Sequence, residues 1–159
     1  MGMALIPMKK NASSISREEM VKFLNEDLAR EYQAVIAYTV YSQVIKGAQF
    51  IAIAAELEKH AGEELAHAMA ITKQIDYFNG TPVTTPLPVK MSEKAEDMLR
   101  FDLENERVTI IAYRERIRQA ESMGEYALSE ALRQIIAQEQ EHLTDLATAL
   151  GIDVPAIKG

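Results

Sequence analysis

Glu31, Tyr38, Glu64 and His67 recur 75 residues later as Glu106, Tyr113, Glu139 and His142. In each half a lone Glu precedes a Glu-x-x-His by 33 residues. Flanking positions repeat as well: Leu24 with Leu99, Asp27 with Asp102, Leu28 with Leu103, Ala37 with Ala112. Four carboxylates and two imidazoles in this pattern suit a pair of divalent cations. On a helix, residues three apart share a face, so Glu64 and His67 can meet one ion, and Glu139 and His142 another. Two divalent ions bring four positive charges against four carboxylates, with the imidazoles as neutral ligands. Oxygen and nitrogen donors without sulfur favour iron or manganese, and zinc less specifically. Two iron ions per chain, with manganese as the variant, are the expected cofactors. The bland alternative is a solvated polar layer that holds no metal.

These residues must be carried by helices. Ser16-Arg17-Glu18-Glu19 reads as a capping box that opens a helix running to about Lys46. Its inward stripe is Met20, Phe23, Asp27, Glu31, Tyr38 and Ile45. Gly47 breaks it, and a second helix runs from about Gln49 to Phe78, stopped by Asn79-Gly80. Ile53, Leu57, Glu64, His67, Ile71 and Phe78 give that helix the three-and-four spacing of one buried face. Ser92 is expected to cap a third helix to Met123, and Gly124 to separate it from a fourth, Glu125 to Leu150. Helices of this length are roughly 45 Å long at about 1.5 Å per residue. The four lone or motif Glu residues fall near mid-height in each. Glu therefore stands where the apolar periodicity demands a buried residue, and a buried carboxylate is costly unless paired or metal-bound.

Between the second and third helices, Thr81-Pro82-Val83-Thr84-Thr85-Pro86-Leu87-Pro88 is expected to be extended. About 13 residues at 3.3 Å each span roughly 43 Å, enough to run the length of a bundle. The expected fold is all-α: a four-helix bundle of two antiparallel hairpins joined by a long crossover. Residues 1–15 read as a flexible arm, 16–151 as the bundle, and 152–159 as a C-terminal tail.

The ligand set resembles the ferritin-like di-iron carboxylate superfamily. Over about residues 18–150 the register is that of the bacterioferritins. Leu24-Asn25 through Glu31, Glu64 to His67, Met98-Leu99-Arg100 through Glu106, and Glu139-Gln140-Glu141-His142 carry the likeness. It implies that Glu64 and Glu139 bridge two metals, that Glu31 and Glu106 are terminal ligands, and that each His holds one metal. The implied activity is ferroxidase: Fe(II) oxidised by O2 or H2O2 for iron storage or detoxification. A non-storage di-iron oxidase or peroxide reductase, or a metal-binding bundle without catalysis, are the alternatives. The likeness also implies a closed homo-oligomeric shell built from dimers.

The departures are specific. Bacterioferritin's haem-ligating Met follows the second-helix Glu, where this chain has Leu65, so haem is not expected. Only nine residues follow Leu150, too few for the family's short fifth helix, so a 12-subunit shell or a dimer stands as an option beside the family's 24-subunit cage. Rubrerythrin-type sites add a Glu where Thr109 stands.

Around the ligands, Tyr38 and Tyr113 are candidates to bond ligating carboxylates or to donate an electron, or simply core aromatics. Asp27 and Asp102, one turn before Glu31 and Glu106, are candidates to accept the free N–H of each imidazole. His60, unduplicated because Ile135 takes its place, could join Glu56 or Glu63 in a transit site for iron. Tyr41, Ile45, Met69 and Ile111 read as outer positions for a subunit interface.

Composition narrows the partners. The chain has 159 residues, 48% of them hydrophobic, and a net charge of −7, which argues against a nucleic-acid partner. No apolar run approaches the roughly 20 residues of a membrane span. Met1 to Lys10 lacks a signal-type apolar core, so a cytoplasmic location is expected. With no cysteine, neither disulfides nor thiolate ligands are available.

Overall fold

The computed structural model describes residues 15–158. The arm expected over residues 1–15 therefore lies outside the described residues except for Ile15. Four helices dominate: α1 (Arg17–Val44), α2 (Ile51–Tyr77), α3 (Ala95–Ser122) and α4 (Tyr126–Leu150). A single 3-10 turn, Ala48–Phe50, leads into α2. The fold is the all-α four-helix bundle anticipated from the periodicity.

Local chemistry explains the ends. The Ser16 hydroxyl accepts from the Glu19 amide while the Glu19 carboxylate accepts from the Ser16 amide, completing the capping box. Three helices end the same way, on a residue in the left-handed region: Asn79 (φ 59°), Gly124 (φ 73°) and Gly151 (φ 68°). The next amide then reaches back to a carbonyl in the last turn, as Gly80 to Ile75, Glu125 to Ala120, and Ile152 to Ala147. The start of α3 differs from expectation. Ser92 accepts from the Lys94 amide and donates to Asp97, so it shapes a turn and the helix begins only at Ala95.

The α1–α2 and α3–α4 hairpins pack side by side, and the extended segment between them lies along α1. Asn25 bonds Thr81 and Val83, the Ala29 carbonyl accepts from the Leu87 amide, and Gln33 donates to the Pro88 carbonyl. Tyr41, near the far end of α1, donates to the Lys90 carbonyl. The segment therefore travels from the start of α1 towards its end, which sets α2 and α3 parallel. It also covers Tyr41, which is 1% exposed. The expectation that Tyr41 lies on an outer face is thus corrected, whereas Met69 is 61% exposed.

The apolar core is in two parts. One gathers Met20, Leu24, Leu28, Ile71, Ile75, Leu128 and Leu132; the other gathers Ala37, Leu57, Met98, Leu99 and Leu146. Between them lies a buried layer of charged side chains. Past Gly151 the chain is irregular, and Arg114 ties it down by donating to the Ile157 carbonyl. Among the described residues no helix is long and apolar enough to cross a membrane.

Candidate metal centre

The polar layer is the duplicated ligand set. α1 contributes Glu31, α2 Glu64 and His67, α3 Glu106, and α4 Glu139 and His142, all 3% exposed or less. Glu31, Glu64, His67 and Glu139 bring one ligand atom each to within 4.8 Å of one another. Glu64, Glu106, Glu139 and His142 do the same, so Glu64 and Glu139 belong to both groups.

The atoms show how the sharing works. His67 Nδ1 lies 2.9 Å from both Glu64 Oε2 and Glu139 Oε1, and 3.5 Å from Glu31 Oε2. His142 Nδ1 lies 3.0 Å from Glu64 Oε1, and 3.5 Å from Glu139 Oε2 and Glu106 Oε1. Glu64 and Glu139 each turn one oxygen towards either imidazole, the disposition a carboxylate needs to join two cations. Glu31 and Glu106 each serve one side only.

The donor set fits cations. Glu31 Oε2, Glu106 Oε2 and both Glu139 oxygens are buried without a well-aligned hydrogen bond, their near neighbours being the other groups of the cluster. Orphaned buried carboxylate oxygens need a positive partner. Without metal, protons take that place. Burial, then the charges of Glu139, Glu31 and Glu106, push the Glu64 carboxyl well up. Burial and Glu139 push Glu106 up to about 8. Burial opposes charging His142, but its bonds to Glu106 and Glu139 prevail and raise it to about 11. His67 is raised in the same way, burial being overcome by Glu139, Glu31 and Glu64. For Glu139, burial and Glu31 act upward, yet bonds from Glu106, His142 and His67 leave it lowered.

The two tyrosines cross the bundle. Tyr38 of α1 donates to Glu106 Oε1 of α3 at 2.5 Å, and Tyr113 of α3 donates to Glu31 of α1. Each hydroxyl therefore holds the one-sided carboxylate of the opposite half. The duplicated aspartates do not accept the imidazole N–H groups. His67 Nε2 meets Gln138 Oε1 at 2.6 Å, and His142 Nε2 meets Glu63 Oε2 at 2.7 Å. Asp27 instead receives Arg116 and Arg30, while Asp102 keeps one oxygen unpartnered. One turn along α1 or α3 places an aspartate towards the end of the centre, beyond reach of imidazoles that approach from α2 and α4. As partners of the imidazoles Glu63 and Gln138 escaped the sequence reading, which placed Glu63 only as a possible neighbour of His60, although a signal existed. They too stand 75 apart, immediately before the repeated Glu64 and Glu139. His60 lies outside the centre and meets Asp145, while Glu63 goes to His142.

A cavity of about 10 Å³ touches Glu31, Glu64, Glu106 and Glu139 between Arg30, Gln33, Asn105 and Thr109. That is room for about one water-sized molecule at the ligand oxygens.

Comparison with known proteins agrees with this geometry. The ferritin-like domain matches over residues 21–153. A bacterioferritin of Brucella melitensis is 24% identical over 135 residues, 84% of either chain. A solved ferritin-like, diiron-carboxylate protein from Bacillus anthracis superposes with a TM-score of 0.82 at 33% identity, covering 86% of this chain and 99% of its own. The bacterioferritin-related protein of Bacteroides fragilis, described as a dodecameric thioferritin, gives 0.80 at 26% identity, covering 87% and 88%. With Glu64 and Glu139 shared by two buried four-residue groups and this match over most of its length, the chain belongs to the ferritin-like family.

Proposed function

We propose that this chain is a di-iron ferroxidase that oxidises Fe(II) with O2 or H2O2 for storage or detoxification. The observation that carries the reading is the sharing of Glu64 and Glu139 between two buried four-ligand groups. Glu31 and His67 complete one group, Glu106 and His142 the other. Two Fe(II) ions held there supply two electrons together, which reduce H2O2 and two protons to two waters, or O2 and two protons to H2O2. The protein sets the geometry and the charge. Tyr38 and Tyr113 hold Glu106 and Glu31, and Gln138 and Glu63 fix which imidazole nitrogen faces inward. Burial of the ligand side chains keeps bulk water from them, and a water-sized cavity touches four of the carboxylates.

The storage role supposes a closed homo-oligomeric shell in the cytoplasm. The Bacteroides fragilis relative is described as dodecameric, and exposed Met69 and Leu65 give this chain apolar surface to cover. Aerobic titration with Fe(II) tests the proposal. Uptake far beyond two irons per chain is expected. Uptake ending near two identifies a non-storage oxidase or peroxide reductase, and no oxidation at all leaves a binding protein.

A further inference from the structure

A second set of ligand-type side chains lies outside the centre. Glu56 and His60, one turn apart on α2, and Asp145 on α4 bring ligand atoms to within 4.8 Å of one another. His60 is 1% exposed, its Nε2 lies 3.0 Å from Asp145 Oδ2, and its Nδ1 has no hydrogen-bond partner. The Asp145 side chain is 42% exposed. Glu56 and Asp145 also line a cleft of about 280 Å³, formed where α2 begins and α4 ends, with Gln49, Ile53 and Thr148. The set thus has a buried imidazole at its floor and carboxylates at a solvent-facing mouth.

Its position gives it meaning. The His60 ring stacks on the His142 ring with centroids 4.1 Å apart, and Tyr38 stands edge-on to both rings. His60 of this set thus lies in direct ring contact with His142 of the centre. The repeat does not demand it: Glu56, His60 and Asp145 correspond to Ala131, Ile135 and Ala70 in the other half. A simple ion pair would need neither Glu56 nor an unpartnered Nδ1. One imidazole with two carboxylates is a donor set for a borderline divalent cation such as Fe(II), Mn(II) or Zn(II).

We propose that Glu56, His60 and Asp145 form a third divalent-cation site, which takes an ion from the cleft and passes it to the centre. Binding at this site stands by itself, whereas delivery rests on the ferroxidase reading. The test is anomalous diffraction from crystals of the whole protein soaked in Zn(II), which has no redox chemistry. Wild type should show two peaks in the centre and a third among Glu56, His60 and Asp145. Asp145→Asn should lose the third peak only, and Glu64→Ala should lose the central pair while keeping the third. A filled third site beside an empty centre would sink the ferroxidase reading and leave this site standing. An empty third site at Zn(II) levels that fill the centre, or an undiminished third peak in Asp145→Asn, overturns the proposal. For delivery, Asp145→Asn should oxidise Fe(II) several-fold more slowly at low Fe(II), with the saturated rate retained. A rate equal to wild type at low Fe(II) overturns the delivery role.

Discussion

Glu64 and Glu139 differ from Glu31 and Glu106 in offering an oxygen to each half of the site. Removing either should therefore disable both cation positions together. Glu64→Ala and Glu139→Ala are expected to abolish rapid Fe(II) oxidation in stopped-flow assays, with helical circular dichroism unchanged because the apolar clusters carry the fold. Oxidation kinetics equal to wild type in both variants would remove these residues from the centre. The protons that stand in for metal make a second expectation. Glu106, ordinarily near 4.5, titrates near 8 in the fold, and His142, ordinarily near 6.5, titrates near 11. Between about 4.5 and 8 the folded protein keeps a Glu106 proton that the unfolded chain has released, and from 6.5 upward the same holds for His142. Stability contributed by a raised group is lost as pH climbs towards its folded value. Glu139, being lowered, acts in the opposite sense only at more acidic pH. Chelator-treated protein should therefore melt at lower temperature at pH 8 than at pH 5. A melting temperature that is flat or rises over that range contradicts the assignment of these protons.

Among the elements, the crossover and the buried Asp27 pair decide how the hairpins meet. Arg116 of α3 reaches Asp27 of α1 through Nε at 2.8 Å, and both side chains are nearly inaccessible. Replacing Arg116 with Met leaves the buried carboxylate with Arg30 alone. A loss of about 3 kcal/mol is expected by chemical denaturation, in line with breaking one arm of a buried pair. A change below about 0.5 kcal/mol, the usual range for surface substitutions, would show that Arg30 suffices. Gly80 is needed for a different reason from the glycines that cap α3 and α4. A Cβ there would lie 2.5 Å from Val21 Cγ1, so the turn after α2 can pack on α1 only without a side chain. Gly80→Ala should cost roughly 1–3 kcal/mol by overpacking, measurable in the same denaturation assay.

For the whole molecule, the question is what surrounds one bundle. Met69 and Tyr126 are 61% and 70% exposed, more than a lone small domain needs to show. A shell should give a light-scattering mass many times that of the 17.8 kDa chain. A mass near two chains would remove the enclosed volume that storage requires and favour the soluble oxidase.

Helical periodicity made the four helices, the Ser16 capping box and the shared faces of the six candidate ligands legible, because these depend on spacings of three and four within one helix. The 75-residue repeat then ranked Glu31, Glu64, Glu106 and Glu139 above the chain's other glutamates, and its breadth carried the family resemblance. What escaped were contacts between partners 68 to 89 positions apart: Tyr38 with Glu106, His67 with Gln138, His142 with Glu63, Asp27 with Arg116. Spacing along one helix says which residues share its face, but not how far that helix is rotated or shifted against a neighbour. The tertiary structure sets that rotation through the crossover along α1 and the two apolar clusters. It thereby decides that the imidazoles present Nδ1 inward, that Tyr41 is buried, and that His60 meets Asp145.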